Sequence, residues 1–258
     1  MGLKLLENIM TNSTKDDSFQ SIGFLKARSV TIEPEVLKEQ RIIMGLPNCQ
    51  HSDLFRVLRT NVLKQLRENG WNNFIVTSAT QGAGKTVVSL NLAIAIALEG
   101  NQSVLLVDAD LRRPSVSQHL GFECEMGFVD YLTGATTLDQ VLVNPGIERL
   151  VVLPGRNTKS NYSELISSPK MADFIKEVKS QDKSRIVIFD IPPLFVADDA
   201  LLFMSYFDAT LFVVEDEKNT TTELIDSMQL LEQTNLLGVV LNKSRQPIPS
   251  YKYGYNYI

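Results

Sequence analysis

Residues 74–86 read Phe-Ile-Val-Thr-Ser-Ala-Thr-Gln-Gly-Ala-Gly-Lys-Thr, and helix-forming sequence follows. Phe74–Ser78 is an apolar, β-branched run of strand length. Ala79–Thr86 is then a glycine-containing turn between that strand and a helix. Gly82 and Gly84 let the backbone curl so that its N–H groups face an anion, and the helix N-terminus adds a favourable dipole. Lys85 is placed to reach outer phosphates and Thr86 to offer a hydroxyl to Mg²⁺. One departure is plain: Ala79 stands where such loops usually carry their first glycine. The plainer alternative is a glycine turn that serves only the chain path.

Two further apolar runs end in acids. Val104-Leu-Leu-Val-Asp-Ala-Asp-Leu-Arg112 closes on Asp108 and Asp110, and Ile186-Val-Ile-Phe-Asp-Ile-Pro-Pro193 closes on Asp190. In a parallel sheet these carboxylates emerge on the same edge as the glycine loop. Hard oxygen ligands there suit a nucleotide-bound Mg²⁺. Strand-end acids that merely cap turns are the competing reading.

The rest of the chain repeats the theme. Runs at Phe74–Ser78, Val104–Asp108, Leu150–Leu153, Arg185–Asp190, Ala209–Val214 and Leu237–Leu241 alternate with helical stretches at Lys85–Glu99, Ser163–Lys179, Asp198–Met204 and Thr220–Gln233. The runs lack polar alternation, as strands buried on both faces do. The pattern predicts an α/β fold with a doubly wound, mostly parallel sheet of the P-loop NTPase type. Three segments are expected: an N-terminal extension over 1–50, partly disordered, with a strand entry and short helix in Val30–Glu39; a nucleotide-binding domain over 51–245; and a flexible tail over 246–258. A helix over Asp53–Glu68, with Leu54, Val57, Leu58, Val62 and Leu66 at helical spacing, opens the domain and stops at Asn69-Gly70.

With 258 residues, 44% hydrophobic and 21% charged, the chain has material for one sizeable core. A net charge of −5 argues against a phosphate backbone as main partner, so nucleic acid is not expected. Two cysteines, Cys49 and Cys124, make no disulfide framework. No signal peptide is read at the N-terminus. No apolar run approaches the roughly 20 residues that span a bilayer, so the expected location is cytoplasmic.

Four of the last eight residues are tyrosines: Tyr251, Tyr253, Tyr255 and Tyr257. Pro247 and Pro249 stiffen the approach. A mobile tail suits a phosphate acceptor, which must enter a site and leave it. An edge strand packing its rings is the alternative.

In these motifs the chain resembles bacterial tyrosine kinases, the P-loop autokinases linked to polysaccharide synthesis and export. The resemblance rests on Ala79–Thr86, on Leu105–Val107 with Asp108, Asp110 and Arg112, on Val187–Phe189 with Asp190 and Pro192, and on the closing tyrosines, and covers roughly residues 50–258. Val30-Thr-Ile-Glu-Pro-Glu-Val-Leu37 is similar to the stand-alone autokinases found near exosortase-type exopolysaccharide clusters. Ile191 departs from the threonine common in the third motif.

The resemblance implies ATP and Mg²⁺, with Gly82, Ala83, Gly84, Lys85, Thr86 and Val87 around the phosphates and Asn242 at the adenine edge. Thr86, Asp110 and Asp190 would hold the metal. Asp108 would take the proton of an incoming tyrosine, and Arg112 would steady phosphates or acids. Asp53, Arg56 and Arg59, three apart on one helix face, match the family's Glu-x-x-Arg-x-x-Arg and imply a contact between subunits of a homo-oligomeric ring; a solvated charged face is the alternative. A separate membrane co-polymerase protein is the expected activator, and would bring the chain to the inner face of the membrane. The rival function is a regulatory ATPase of the partition or septum-site type. Those chains usually carry a signature lysine where Thr80 stands here.

Overall fold

The computed structural model describes residues 27–245 apart from 48, 50, 158–161, 181–183 and 197–202. Its strands are β1 (Arg28–Ser29), β2 (Asn73–Ser78), β3 (Ser103–Asp108), β4 (Val143–Asn144), β5 (Leu150–Leu153), β6 (Arg185–Asp190), β7 (Ala209–Glu215) and β8 (Leu236–Asn242). They form one sheet in the order β1-β4-β5-β3-β6-β2-β7-β8. Every neighbouring pair is parallel except β4 with β5. The sheet is therefore mixed, and mostly parallel as the sequence predicts.

The helices are α1 (Pro34–Glu39), α2 (Ser52–Asn69), α3 (Lys85–Ala97), α4 (Val116–His119), α5 (Phe128–Leu132), α6 (Leu138–Val141), α7 (Tyr162–Ile166), α8 (Pro169–Ser180) and α9 (Thr221–Leu231). They cover both faces, which explains the uninterrupted apolar strands. Ile75, Leu105, Val107, Val187 and Phe189 pack on one side with Phe128 of α5 and Phe174 of α8. Phe74, Val76, Leu106, Ile186 and Ile188 pack on the other with α3 and α2. Alternate residues of one strand thus feed two cores.

Helix α3 is buried along almost its whole length. It lies between the sheet and an outer layer made by α2 and residues 41–45. Asn91 fastens that layer: its Nδ2 donates to Arg41 O at 3.0 Å and its Oδ1 accepts from Met44 N at 3.0 Å. Ile42 is completely buried. Leu37, Ile42 and Met44 of the segment 27–47 are thus part of the core, and β1 pairs to β4 at the sheet edge.

Three local expectations need correction. The helix expected over Ser163–Lys179 is two helices. Pro169 lacks the N–H that would continue the first, and Ser168 Oγ accepts from Met171 N at 3.2 Å to start the second. Leu54 and Val57 are exposed, because the face of α2 turned to the core carries Val62, Leu63 and Leu66. Edge strand β8 is not covered on both faces: Val239 and Leu241 are more than half exposed, at 51% and 57%. No described helix is long and apolar enough to cross a membrane.

The register decides where the chemistry sits. Asp108 of β3 and Val76 of β2 both pair with Asp190 of β6. The carboxyl ends of these three strands therefore lie side by side, at the edge where β2 runs into the glycine loop.

Candidate active site

Gly82 and Gly84 have φ of +81° and +89°, a region that residues with a Cβ rarely adopt. The loop's carbonyls are tied by side chains that follow β7 or stand at the end of β8. Lys218 Nζ donates to Gln81 O at 3.5 Å, Lys243 Nζ to Gly82 O at 2.6 Å, and Asn242 Nδ2 to Ala83 O at 2.8 Å. In a planar trans peptide the carbonyl and the following N–H point in opposite directions. Anchoring these three carbonyls thus turns the N–H groups of Gly82, Ala83 and Gly84 away from the scaffold, as an anion cradle requires. Glu215 joins the two lysines, at 3.0 Å from each. Burial would raise its pKa, but the bonds to Lys243 and Lys218 outweigh that and hold it low.

In front of the loop lies a cavity of about 670 Å³, lined among others by Lys85, Thr86, Val87, Asp110, Arg112 and Ser115. Lys85 Nζ is 2.9 Å from Asp110 Oδ2 and 3.5 Å from Asp190 Oδ1. Burial lowers the lysine's pKa, but the carboxylates of Asp190 and Asp110 prevail and push it up to about 12. Thr86 Oγ1 donates to Asp190 Oδ2 at 2.6 Å, and Ser115 Oγ donates to Thr86 Oγ1 at 3.1 Å. Burial raises the pKa of Asp190, which is fully enclosed.

Asp108 is differently placed. Its Oδ2 accepts from the amides of Ser115 and Val116, both at 2.9 Å. Its Oδ1 is buried without a hydrogen bond. Burial, with Asp190 adjacent, pushes its pKa up to about 7. Gly155 closes over it from behind: a Cβ there would meet Asp108 O at 2.8 Å.

The donor set fits Mg²⁺. Thr86, Asp110 and Asp190 offer hard oxygens next to the cradle, and Lys85 supplies the positive charge among them. No described group of three or more histidine, cysteine or acidic side chains could hold a metal alone. Mg²⁺ takes one or two carboxylates and completes its shell with phosphate and water.

Other expected residues are distributed as follows. Asn242 is engaged with the loop itself, at Ala83 O. On α2, Arg56 pairs with Asp53 at 2.7 Å in an exposed position, while Arg59 Nη1 donates to Ala95 O at the end of α3, at 3.4 Å. The three side chains thus do not act as one cluster within a single copy. Tyr251, Tyr253, Tyr255 and Tyr257 lie outside the described residues. Sequence reasoning missed the side chains that anchor the loop carbonyls and missed Glu215, which joins two of them. It also missed Ser115 and His119 on the cavity wall; their nearness in sequence to Arg112 is the one signal that points to them.

The cradle, its lysine and its paired acids define a P-loop nucleotide-binding protein. Residues 74–255 match the family described as the CobQ/CobB/MinD/ParA nucleotide-binding domain. EpsB of Ralstonia nicotianae is 31% identical over 212 residues, 81% of this chain; the chain spans only 28% of EpsB. The tyrosine-protein kinase YwqD of Bacillus subtilis is 29% identical over 216 residues, covering 83% of this chain and 90% of YwqD. The solved kinase domain of the Escherichia coli tyrosine kinase ETK superposes with a TM-score of 0.73 at 30% identity, over 87% of this chain and 93% of that domain. The chain belongs to the CobQ/CobB/MinD/ParA nucleotide-binding family and, within it, to the bacterial tyrosine kinases.

Proposed function

We propose that the chain is an ATP-dependent protein-tyrosine autokinase. It transfers the γ-phosphoryl group to Tyr251, Tyr253, Tyr255 and Tyr257 of a neighbouring copy and so regulates exopolysaccharide or capsule synthesis and export. The observation that carries this reading is the convergence of Lys85, Thr86, Asp110 and Asp190 at one sheet edge, in a chain that ends in alternating tyrosines.

Phosphoryl transfer depends chiefly on positioning and charge neutralisation. The amides of the loop through Val87 and the ammonium of Lys85 hold the β- and γ-phosphates. Thr86, Asp110 and Asp190 hold Mg²⁺, which supplies charge neutralisation at the transferring group. Arg112 on the cavity wall adds positive charge. The tyrosine oxygen forms a bond to the γ-phosphorus as the bond to the β,γ-bridging oxygen breaks. The phenol proton passes to Asp108, whose acidity near neutrality suits a base. For that, the Ser115–Val116 turn must release the carboxylate it now caps. Adenine recognition by Asn242 likewise requires the amide to leave Ala83 O. Asp53, Arg56 and Arg59 would contribute to a ring of copies, and a membrane co-polymerase protein would activate and localise it.

Membership of the wider family keeps a regulatory ATPase as the second reading. Thr80 disfavours it, since its hydroxyl accepts from Asn219 Nδ2 at 3.2 Å where a signature lysine would be required.

A mixing experiment tests the proposal. A chain with all four tail tyrosines changed to phenylalanine is incubated with Lys85→Met chain, ATP and Mg²⁺. Phosphotyrosine mapped by mass spectrometry to the tail of the Lys85→Met chain is expected. An unlabelled Lys85→Met tail, when unsubstituted chain incubated by itself does label its tail, would refute transfer between copies, and ATP hydrolysis without phosphotyrosine would favour the ATPase.

A further inference from the structure

The turn after β6 presents an apolar lip that the nucleotide does not need. Phe195 and Val196 are 44% and 38% exposed, and Pro193 and Val196 line the cavity in front of the cradle. An exposed apolar turn is usually loose, but this one is fixed. Leu194 N donates to Ser78 O at 2.8 Å, Phe195 N to Ala79 O at 3.3 Å, and Val196 N to Pro193 O at 3.2 Å. Thr77 Oγ1 donates to Pro192 O at 2.8 Å, and Leu194 is anchored in the core. The lip is therefore held rigidly to the strand that leads into the cradle.

Its position is specific. It begins three residues after Asp190, whose carboxylate touches Thr86 and Lys85. It thus borders the part of the cavity where the outermost phosphate would lie. Cradle amides and the Lys85 ammonium serve phosphate; carbon atoms of proline and valine do not. The same cavity is also lined by polar side chains that follow β3, Arg113 and His119. His119 Nδ1 donates to Ser115 O at 2.8 Å, which fixes the orientation of the ring. A cavity that offers both apolar carbon and hydrogen-bonding groups matches a phenol, which is apolar in body and polar at its tip.

The last described residue, Arg245, follows Lys243, which itself lines this cavity. Thirteen residues remain beyond it, carrying four alternating tyrosines. We infer that Pro193 and Val196, with Phe195 at the rim, form the seat for the ring of an acceptor tyrosine from the 251–257 segment. This inference rests on the kinase reading and adds the subsite that selects its acceptor.

The test uses the full chain with its own four tail tyrosines changed to phenylalanine, ATP, Mg²⁺ and a synthetic peptide of residues 250–258 as acceptor. Val196→Ser should raise the peptide KM roughly tenfold with kcat little changed, and Val196→Leu should keep the unsubstituted KM. Equilibrium nucleotide affinity should be the same in all three. A peptide KM unmoved by Val196→Ser would overturn the subsite while leaving the kinase reading intact. So would a parallel loss of nucleotide affinity, which would assign the lip to the nucleotide. Absence of peptide phosphorylation before Val196 is changed would overturn the kinase reading and the subsite with it.

Discussion

Replacing Gly84 by alanine probes the cradle through two separable effects. The residue sits at φ +89° and caps α3, and an added Cβ would lie 2.2 Å from Asn242 Nδ2. The left-handed conformation costs a residue with a Cβ about 1–2 kcal/mol. The clash must also drive Asn242 off Ala83 O, where it donates at 2.8 Å; a hydrogen bond of this kind contributes about 1 kcal/mol. The sum, ~2–3 kcal/mol, corresponds to a fall in Tm of roughly 5–10 °C for a chain of this size. The same release lets the Ala83 carbonyl swing, so affinity for a fluorescent ATP analogue in Mg²⁺ should fall as well. A double-mutant cycle separates the parts. In an Asn242→Ala background there is no amide to displace, so Gly84→Ala should cost only the conformational strain, leaving a coupling of about 1 kcal/mol. Strict additivity, or a Gly84→Ala chain with unaltered Tm and affinity, would refute this account of how the loop is held.

The raised pKa of Asp108 predicts a pH dependence of nucleotide-free stability. Between its unfolded value of 3.8 and its folded value of about 7, only the folded chain holds the proton. The stabilisation is therefore full below about pH 4 and declines as pH rises toward 7. Thermal unfolding between pH 5 and 8 should show this decline, and Asp108→Asn should flatten it. Asn91→Ala should strand the buried Met44 N–H and release Arg41 O, costing about 2–3 kcal/mol, with faster hydrogen exchange at residues 41–45; unchanged exchange there would mean that the N-terminal layer is held by apolar contacts alone.

How much of this was legible depended on sequence distance. Five of the six main strands were readable because each is buried on both faces and so lacks polar alternation, and β8 was readable as an apolar run although its outer residues are exposed. The acids at 108, 110 and 190 were readable because a parallel sheet brings strand ends to one edge. Harder to see was what lies more than a hundred residues away. The carbonyl anchors Lys218, Asn242 and Lys243 follow no local pattern, and their role exists only because β7 pairs with β2 and β8 with β7. Two-residue strands such as β1 and β4 have too few positions to show a period. The apolar spacing of α2 was correct as helix but not as burial, since Leu54 and Val57 continue the stripe beyond the surface that the core covers. Arg59 was read from its neighbours Asp53 and Arg56, while its partner, the carbonyl of Ala95, belongs to another helix.

At the centre of the account, Lys85 neutralises two enclosed acids and is then available to a transferring phosphate. The direct measurement compares the purified chain with its Lys85→Met variant, both incubated with ATP and Mg²⁺ and blotted for phosphotyrosine, with folding of the variant verified by circular dichroism. The unmodified sequence should label on its tail tyrosines and the folded variant should not. Equal labelling of a folded Lys85→Met chain would contradict the account.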